Sequence, residues 1–371
     1  MYQAVTVQKP YGSSVVKLWA IYDCTTKHIA VAQTAFLVAR TIYDGNQFTT
    51  VRGYAYTLTT FLNTLSRNQV DWRKITDHQM RQYFEGVLFK HRNLTAQSLN
   101  NHIIIIKEFY QWAETNGWCD QLNRFSFRVS NEILEELEIL KGTKASHLPF
   151  YLSSQFIDQE SFNQFLNFNS GNSSFEINRN EIVLLLGYQC GCRAAEVTSK
   201  NNFKTEYLIK LINNRQNNNA TNYGFEMGII GKGRAGGKHR YIWIPDALSR
   251  RIRAFLENPN IKNSKYLICS KRGNPLNEQF ASSVFSKTKR ALLTNSKSIK
   301  GWQSNSKSFH SLRHSYATNF IMEHGQSEAM KELLRTRMGH KDFSTTQIYI
   351  TFLAELNRKT HIQRTDRDYD L

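Results

Sequence analysis

Two imidazoles and a guanidinium crowd one short stretch, SFHSLRHSYAT at 308–318, in the form of His310, Arg313 and His314. On a helix, residues three apart share a side, so His310 and Arg313 project together. Leu312, Tyr316 and Ala317 would anchor that helix in a core, and Ser308 stands where an N-cap belongs. Two polar heads on a firmly held base suit a site that must be rigid. His314 is expected to point elsewhere, in a structural or supporting role.

Three other stretches carry candidates. In GYQCGCRAAEV, Arg193 closes an apolar run, where a guanidinium needs an anionic partner. Glu196, three residues on, could supply it. In GKGRAGGKHRYIWIP, glycines flank Lys232, and Lys238, His239 and Arg240 follow. Flanking β-type segments make this a hairpin with a basic, flexible tip. It is not a P-loop, because the G-x-x-x-x-G-K-[ST] spacing is not met. In RMGHKDFSTTQIYITFLAEL, Gly339 permits a tight turn and His340 follows it. Ser344 or Thr345 then caps a short helix bearing Tyr349.

Taken together these groups describe metal-free cleavage of a phosphodiester. Two arginines can hold both non-bridging oxygens as charge builds there, and neither loses its own charge. A phenol, with a pKa of about 10, becomes an effective nucleophile once a neighbour takes its proton. The departing 5′ oxygen needs an acid, which a lysine on a mobile tip supplies. Imidazoles orient the phosphate and move protons near neutral pH. The chain offers Arg193, Lys232, His310, Arg313, His340 and Tyr349 in that order.

These side chains span more than 150 positions, so several elements must bring them together. The 371 residues favour two or three domains, and 40% hydrophobic content describes a globular chain. Residues 1–30 carry β-favouring patches such as SVVKLWAIY and read as a strand-containing appendage. Helical periodicity follows, with Val51, Tyr54, Leu58, Phe61, Leu62 and Leu65 on one stripe. Thr76 is a candidate N-cap, and Gly117 a stop for the helix carrying Leu99, Ile103, Ile106, Tyr110 and Ala113. Residues 31–140 therefore read as a basic helical bundle. KGTKASHLPFYL, 141–152, reads as a linker, and 153–371 as a second domain with a C-terminal tail. In that domain EYLIKLI, FEMGIIG and HRYIWIP read as short strands, with an Asn-rich turn at 213–222. From 246 the chain reads as helical to near its end. The fold class is mainly α with a small antiparallel β-sheet.

Forty-eight Lys and Arg against thirty Asp and Glu give a net charge of +18, which attracts polyanions, nucleic acid above all. The five cysteines, Cys24, Cys119, Cys190, Cys192 and Cys269, fit no zinc spacing and suit a reducing cytoplasm. No apolar run is long enough to span a membrane. A metal-dependent nuclease is disfavoured, because no clustered carboxylates accompany the basic residues.

The pieces GYQCGCRAAEV, GKGRAGGKHRYIWIP, HSLRHSYAT and MGHKDFSTTQIY resemble the tyrosine recombinases of the phage integrase family. They cover most of 181–350, about the extent of that family's catalytic domain, and the bundle at 31–140 resembles its core-binding domain. The resemblance implies a C-shaped clamp on duplex DNA. It implies that Arg193 and Arg313 bind the scissile phosphate, Tyr349 forms a 3′-phosphotyrosyl link and Lys232 is the general acid. His310 would then assist as acid or base, His340 would bond the phosphate and Glu196 would steady the site. Lys238 competes with Lys232 for the acid role, since the hairpin tip is longer than the compact form. The implied activity is site-specific integration, excision or mobilisation of DNA without a cofactor. The implied partners are core-site DNA, a homo-tetramer coupled through the tails, and accessory bending or directionality proteins, with a cytoplasmic, nucleoid-associated location. The first thirty residues do not match an arm-binding domain. A type IB topoisomerase and a non-catalytic DNA binder of the same fold are the alternatives.

Overall fold

A computed structural model describes residues 1–12, 14–120, 125–131, 133–135, 148–217, 223–231, 237–261, 264–295, 302, 307–340, 343 and 346–353. Mainly helical, with small antiparallel sheets, the chain divides into two compact units, Met1–Ala145 and Ser146–Leu371.

In the first unit, β1 (Tyr2–Tyr11) and β2 (Ser14–Asp23) form a long antiparallel hairpin, and β3 (His28–Ile29) pairs with the end of β2. Trp19 and Ile21 of β2 enter the same apolar cluster as the helices, so the first thirty residues share the unit's core. Helices α1 (Val31–Ile42), α2 (Phe48–Arg67) and α4 (Ala96–Thr115) supply most of that cluster. Val51, Leu58, Phe61, Leu62 and Leu65 of α2 are buried, as their three- and four-residue spacing requires. Thr76 caps α3 (Asp77–Arg81) through a capping box with Gln79, and the chain continues as a π-helix over Gln82–His91.

In the second unit the core is built on α7 (Ser174–Cys190), preceded by α5 (Leu148–Gln155) and α6 (Gln159–Leu166). Ile182, Val183, Leu184, Leu185 and Leu186 are all buried, so the C-terminal half of α7 is apolar around its whole circumference and lies inside. Beyond it come α8 (Ala194–Val197), α9 (Thr205–Asn217), the hairpin β4 (Phe225–Gly231) and β5 (Lys238–Ile244), α10 (Asp246–Leu256) and α11 (Phe280–Asn295). Last are α12 (Phe309–His324), α13 (Glu328–Met338) and α14, residues 346–353. Helix α12 packs on α7 at Gly187, where an added Cβ would stand 2.9 Å from both Leu312 and Phe309. That close approach sets the end of α7 beside the start of α12.

EYLIKLI, expected as a strand, is part of helix α9. Leu208 and Ile212, four apart, are buried, while Tyr207 and Ile209 on either side of Leu208 are each 44% exposed. The helical period therefore wins over the apparent alternation. Residues 213–217 of the expected Asn-rich turn belong to the same helix, and 218–222 lie outside the described residues. Between α10 and α11 the chain is not continuously helical, and isolated bridges join Lys204 to Tyr266 and Cys269 to Pro275. Residues 148–152 of the expected linker are helical, while 141–147 and the tail after 353 lie outside the described residues.

Candidate active site

Helix α7 ends at Gly191, whose left-handed φ of 64° turns the chain out of the core. Arg193 follows as the N-cap of the four-residue α8. Glu196, in the first turn of α8, folds back. One carboxylate oxygen accepts from the Arg193 N–H at 2.8 Å, the other from its guanidinium at 2.7 Å. This short helix thus fixes both backbone and head of an arginine that keeps a third of its side chain exposed.

Two further arginines reach the same carboxylate. Arg240 of β5 is 3% exposed and donates to Glu196 Oε2 at 2.6 Å and to the Gly191 carbonyl at 3.3 Å. It also donates to the Arg337 carbonyl. Arg313 of α12, 1% exposed, donates to the carbonyls of Gly191 and Met338 and lies 4.0 Å from Glu196. Both buried guanidiniums therefore sit against the carbonyl-rich C-terminal ends of α7 and α13, where helix dipoles favour cations. Burial, then Arg240 and Arg193, lower the Arg313 pKa to about 9, which leaves it charged at neutral pH. Burial works to raise the Glu196 carboxyl, but Arg240, Arg313 and the Arg193 N–H outweigh it and the net shift is downward. Three guanidiniums share this one carboxylate, and the excess positive charge suits an incoming anion.

Asn202 pins the hairpin to this cluster. Its amide donates to the carbonyls of Glu196 and Ile230 at 3.0 Å each and accepts from the Ile230 N–H at 2.8 Å. Gly231, next along β4, lies so near that an added Cβ would be 2.8 Å from Glu196 Oε1. Lys238 pairs opposite Gly231 in the sheet register, two residues before Arg240 and so on the same face, with its side chain exposed. Lys232 lies outside the described residues.

The third side is aromatic. Tyr349 of α14 is 2% exposed and its hydroxyl is 2.9 Å from Nδ1 of His314. His314 was expected to point away from the site. Its spacing of four from His310 instead puts both on one face of α12, and their rings meet edge to face at 4.5 Å. His340 follows Gly339, the left-handed cap of α13, with its Nδ1 3.0 Å from Thr346 Oγ1 and its ring parallel to Tyr349 at 6.3 Å. Loss of solvent, then the arginines, lowers His310 and His340 to about 4; burial, then His310 and Arg313, lowers His314 to about 3. All three are neutral near pH 7. The expected caps Ser344 and Thr345 lie outside the described residues. Among the described residues, no cluster of three or more His, Cys, Asp or Glu is placed to hold a metal ion. No described helix is long and apolar enough to cross a membrane.

Compared with known families, residues 155–355 match the model of the phage integrase family, and residues 48–117 match its N-terminal SAM-like domain. The chain belongs to the phage integrase family. It is a tyrosine-type site-specific recombinase. Among its relatives, the tyrosine recombinase XerC of Leptospira interrogans is 21% identical over 323 residues, 84% of this chain and 87% of that one. XerC of Rickettsia peacockii is 30% identical over 263 residues, 69% of this chain and 70% of that one. The fold is similar to that of XerH recombinase in a post-cleavage complex with a difH substrate, with a TM-score of 0.55 and 16% identity, over 84% of this chain and 79% of that one.

In this recombinase Arg193, Glu196, His310, Arg313, His340 and Tyr349 come from α8, α12, the turn after α13, and α14 to border one region. Two members escaped the sequence reading of the site, Arg240 and the inward role of His314. Alternation held the signal for Arg240. Ile244, Ile242 and Arg240 are successive inward positions of β5, and all three are buried.

Proposed function

We propose that this recombinase cuts and rejoins duplex DNA at specific sites through a 3′-phosphotyrosine at Tyr349. Arg193 and Arg313 bind the scissile phosphate and stabilise the added charge of the transition state. The Tyr349 oxygen attacks phosphorus as the bond to the 5′ oxygen breaks. Lys232 protonates that oxygen, with Lys238 the competing donor. His310 assists proton transfer and His340 bonds the phosphate, while Glu196 steadies Arg193. The bond energy stays in the phosphotyrosine, so rejoining is the reverse attack by a partner strand's 5′ hydroxyl, with no cofactor. What supports the reading most is the shared Glu196. It gathers three guanidiniums within 4.0 Å and leaves positive charge for a phosphate, with the Tyr349 phenol buried nearby. The reading extends to integration, excision or mobilisation of a genetic element, by a homo-tetramer on paired core sites with accessory bending or directionality proteins.

The test is covalent trapping. Nicked suicide duplexes made from the DNA flanking the chain's own coding sequence are incubated with wild type and with Tyr349→Phe. Wild type forms a protein–DNA adduct; the variant binds the same duplex and forms none. An adduct that persists in Tyr349→Phe moves the nucleophile elsewhere. Relaxation of arbitrary plasmid without strand exchange favours a topoisomerase.

A further inference from the structure

We propose that His314 is a positioning residue for the attacking phenol, its Nδ1 accepting the Tyr349 hydroxyl hydrogen and fixing where that oxygen stands beside the arginines. The proposal rests on the reading of Tyr349 as nucleophile. Three observations carry it. The two atoms are 2.9 Å apart, and the rings, 5.7 Å apart and tilted by 46°, come from different helices, α12 and α14. The contact therefore couples the helix that bears Arg313 to the helix that bears the phenol. Next, a phenol seeks an acceptor, and the cations of the site have none to offer, since guanidinium groups only donate. Of the imidazoles, His340 directs its Nδ1 to Thr346. Last, His314 is buried, and burial together with His310, Arg313 and His340 keeps it neutral, so one ring nitrogen carries no proton at working pH and can accept. The same neutrality argues against His314 storing the phenolic proton, which places its effect in geometry. Tyr349 is 2% exposed in the apolar cluster of Leu152, Tyr316, Met338 and Phe352, a setting that seats the ring.

Orientation is sharply felt in such reactions: a misplacement of about 1 Å costs on the order of a hundredfold in rate. The experiment measures single-turnover cleavage of the suicide duplex that wild type cleaves, at saturating enzyme, together with duplex affinity. His314→Leu, similar in bulk but without an acceptor, should slow cleavage by about 10- to 100-fold with affinity unchanged. His314→Asn, whose Oδ1 falls near the place of Nδ1, should restore most of the rate; His314→Gln, whose acceptor reaches further, should not. If His314→Leu fails to fold, the Asn and Gln pair decides, since equal rates for the two overturn the proposal. Cleavage by His314→Leu at or above the wild-type rate overturns it too. A second arm needs no DNA: in chain labelled with nitrogen-15 histidine, the His314 Nδ1 resonance should move in Tyr349→Phe, and a fixed resonance counts against the contact. Adduct formation by Tyr349→Phe sinks the nucleophile reading instead, and the labelled chain still reports on the hydrogen bond.

Discussion

Glu196 is one carboxylate with three cationic neighbours, and its removal is felt unequally by them. Arg193 is partly exposed and can turn to water, whereas Arg240 is 3% exposed and cannot. Glu196→Gln leaves that buried charge without a counter-ion, a change that costs about 3–5 kcal/mol. Thermal unfolding should show the loss, and cleavage should slow because Arg193 loses its brace. The two lysines separate by leaving-group chemistry. A duplex with sulfur in place of the bridging 5′ oxygen expels a thiolate that needs no acid. Lys232→Ala should cleave the ordinary duplex poorly and the sulfur duplex at the wild-type rate, while Lys238→Ala shows no such rescue; the opposite pattern assigns the acid to Lys238. The histidines set an acid limit. In the unfolded chain they take up protons below about pH 6.5. In the folded chain His310 and His340 do so only near 4, and His314 near 3. Between those values the unfolded state binds more protons, so stability is full above about pH 6.5 and falls as pH drops toward 4. Melting temperature against pH checks this, and His314→Asn should flatten the fall.

At the scale of elements, the site is assembled where helices end. The last carbonyls of α7 and α13 converge on Arg240 and Arg313, so the position of each terminus matters more than the length of either helix. Gly191 is the hinge of this arrangement. Its φ is 64°, and an added Cβ would fall 2.5 Å from the Tyr316 ring. Gly191→Ala must therefore strain the backbone and push α12 away, and cost at least about 1 kcal/mol. A lowered melting temperature with a larger loss of cleavage than of duplex binding is expected. Ser311 and Ser315 of α12 are held by α5 and the residue that follows it shortly after. Ser311 Oγ donates to Gln155 Oε1 at 2.6 Å, and the Ile157 N–H donates to Ser315 Oγ at 2.8 Å. Lys307, just before α12, donates to the carbonyls of Ser154 and Phe156. These bonds fix the register of the helix that carries Arg313 and His314.

At the scale of the molecule, a charge of +18 dominates the encounter with a polyanion. If duplex DNA is the partner, log affinity should fall linearly with log salt, by about 0.9 for each phosphate neutralised. Titration of the duplex at several salt concentrations measures the slope, and a flat dependence removes the electrostatic basis of the reading.

How much of this was legible beforehand depends on the range of each signal. Local patterns gave the helical stripe of α2, the cap at Thr76, the hairpin of β4 and β5, and the turn at Gly339, since capping, period and left-handed backbone are written in a few neighbouring residues. EYLIKLI misled because a stretch so short fits both periods, and only burial of Leu208 and Ile212 decides between them. The sequence by itself determined the residue types the chemistry requires, the positive charge and the family. Tertiary structure alone decided that Arg240, drawn in by the face of a strand, shares Glu196 with Arg193, and that His314 rather than solvent meets the Tyr349 hydroxyl. Those contacts join residues 35 and 44 positions apart, and such pairings depend on how helices and strands pack, which no local spacing encodes.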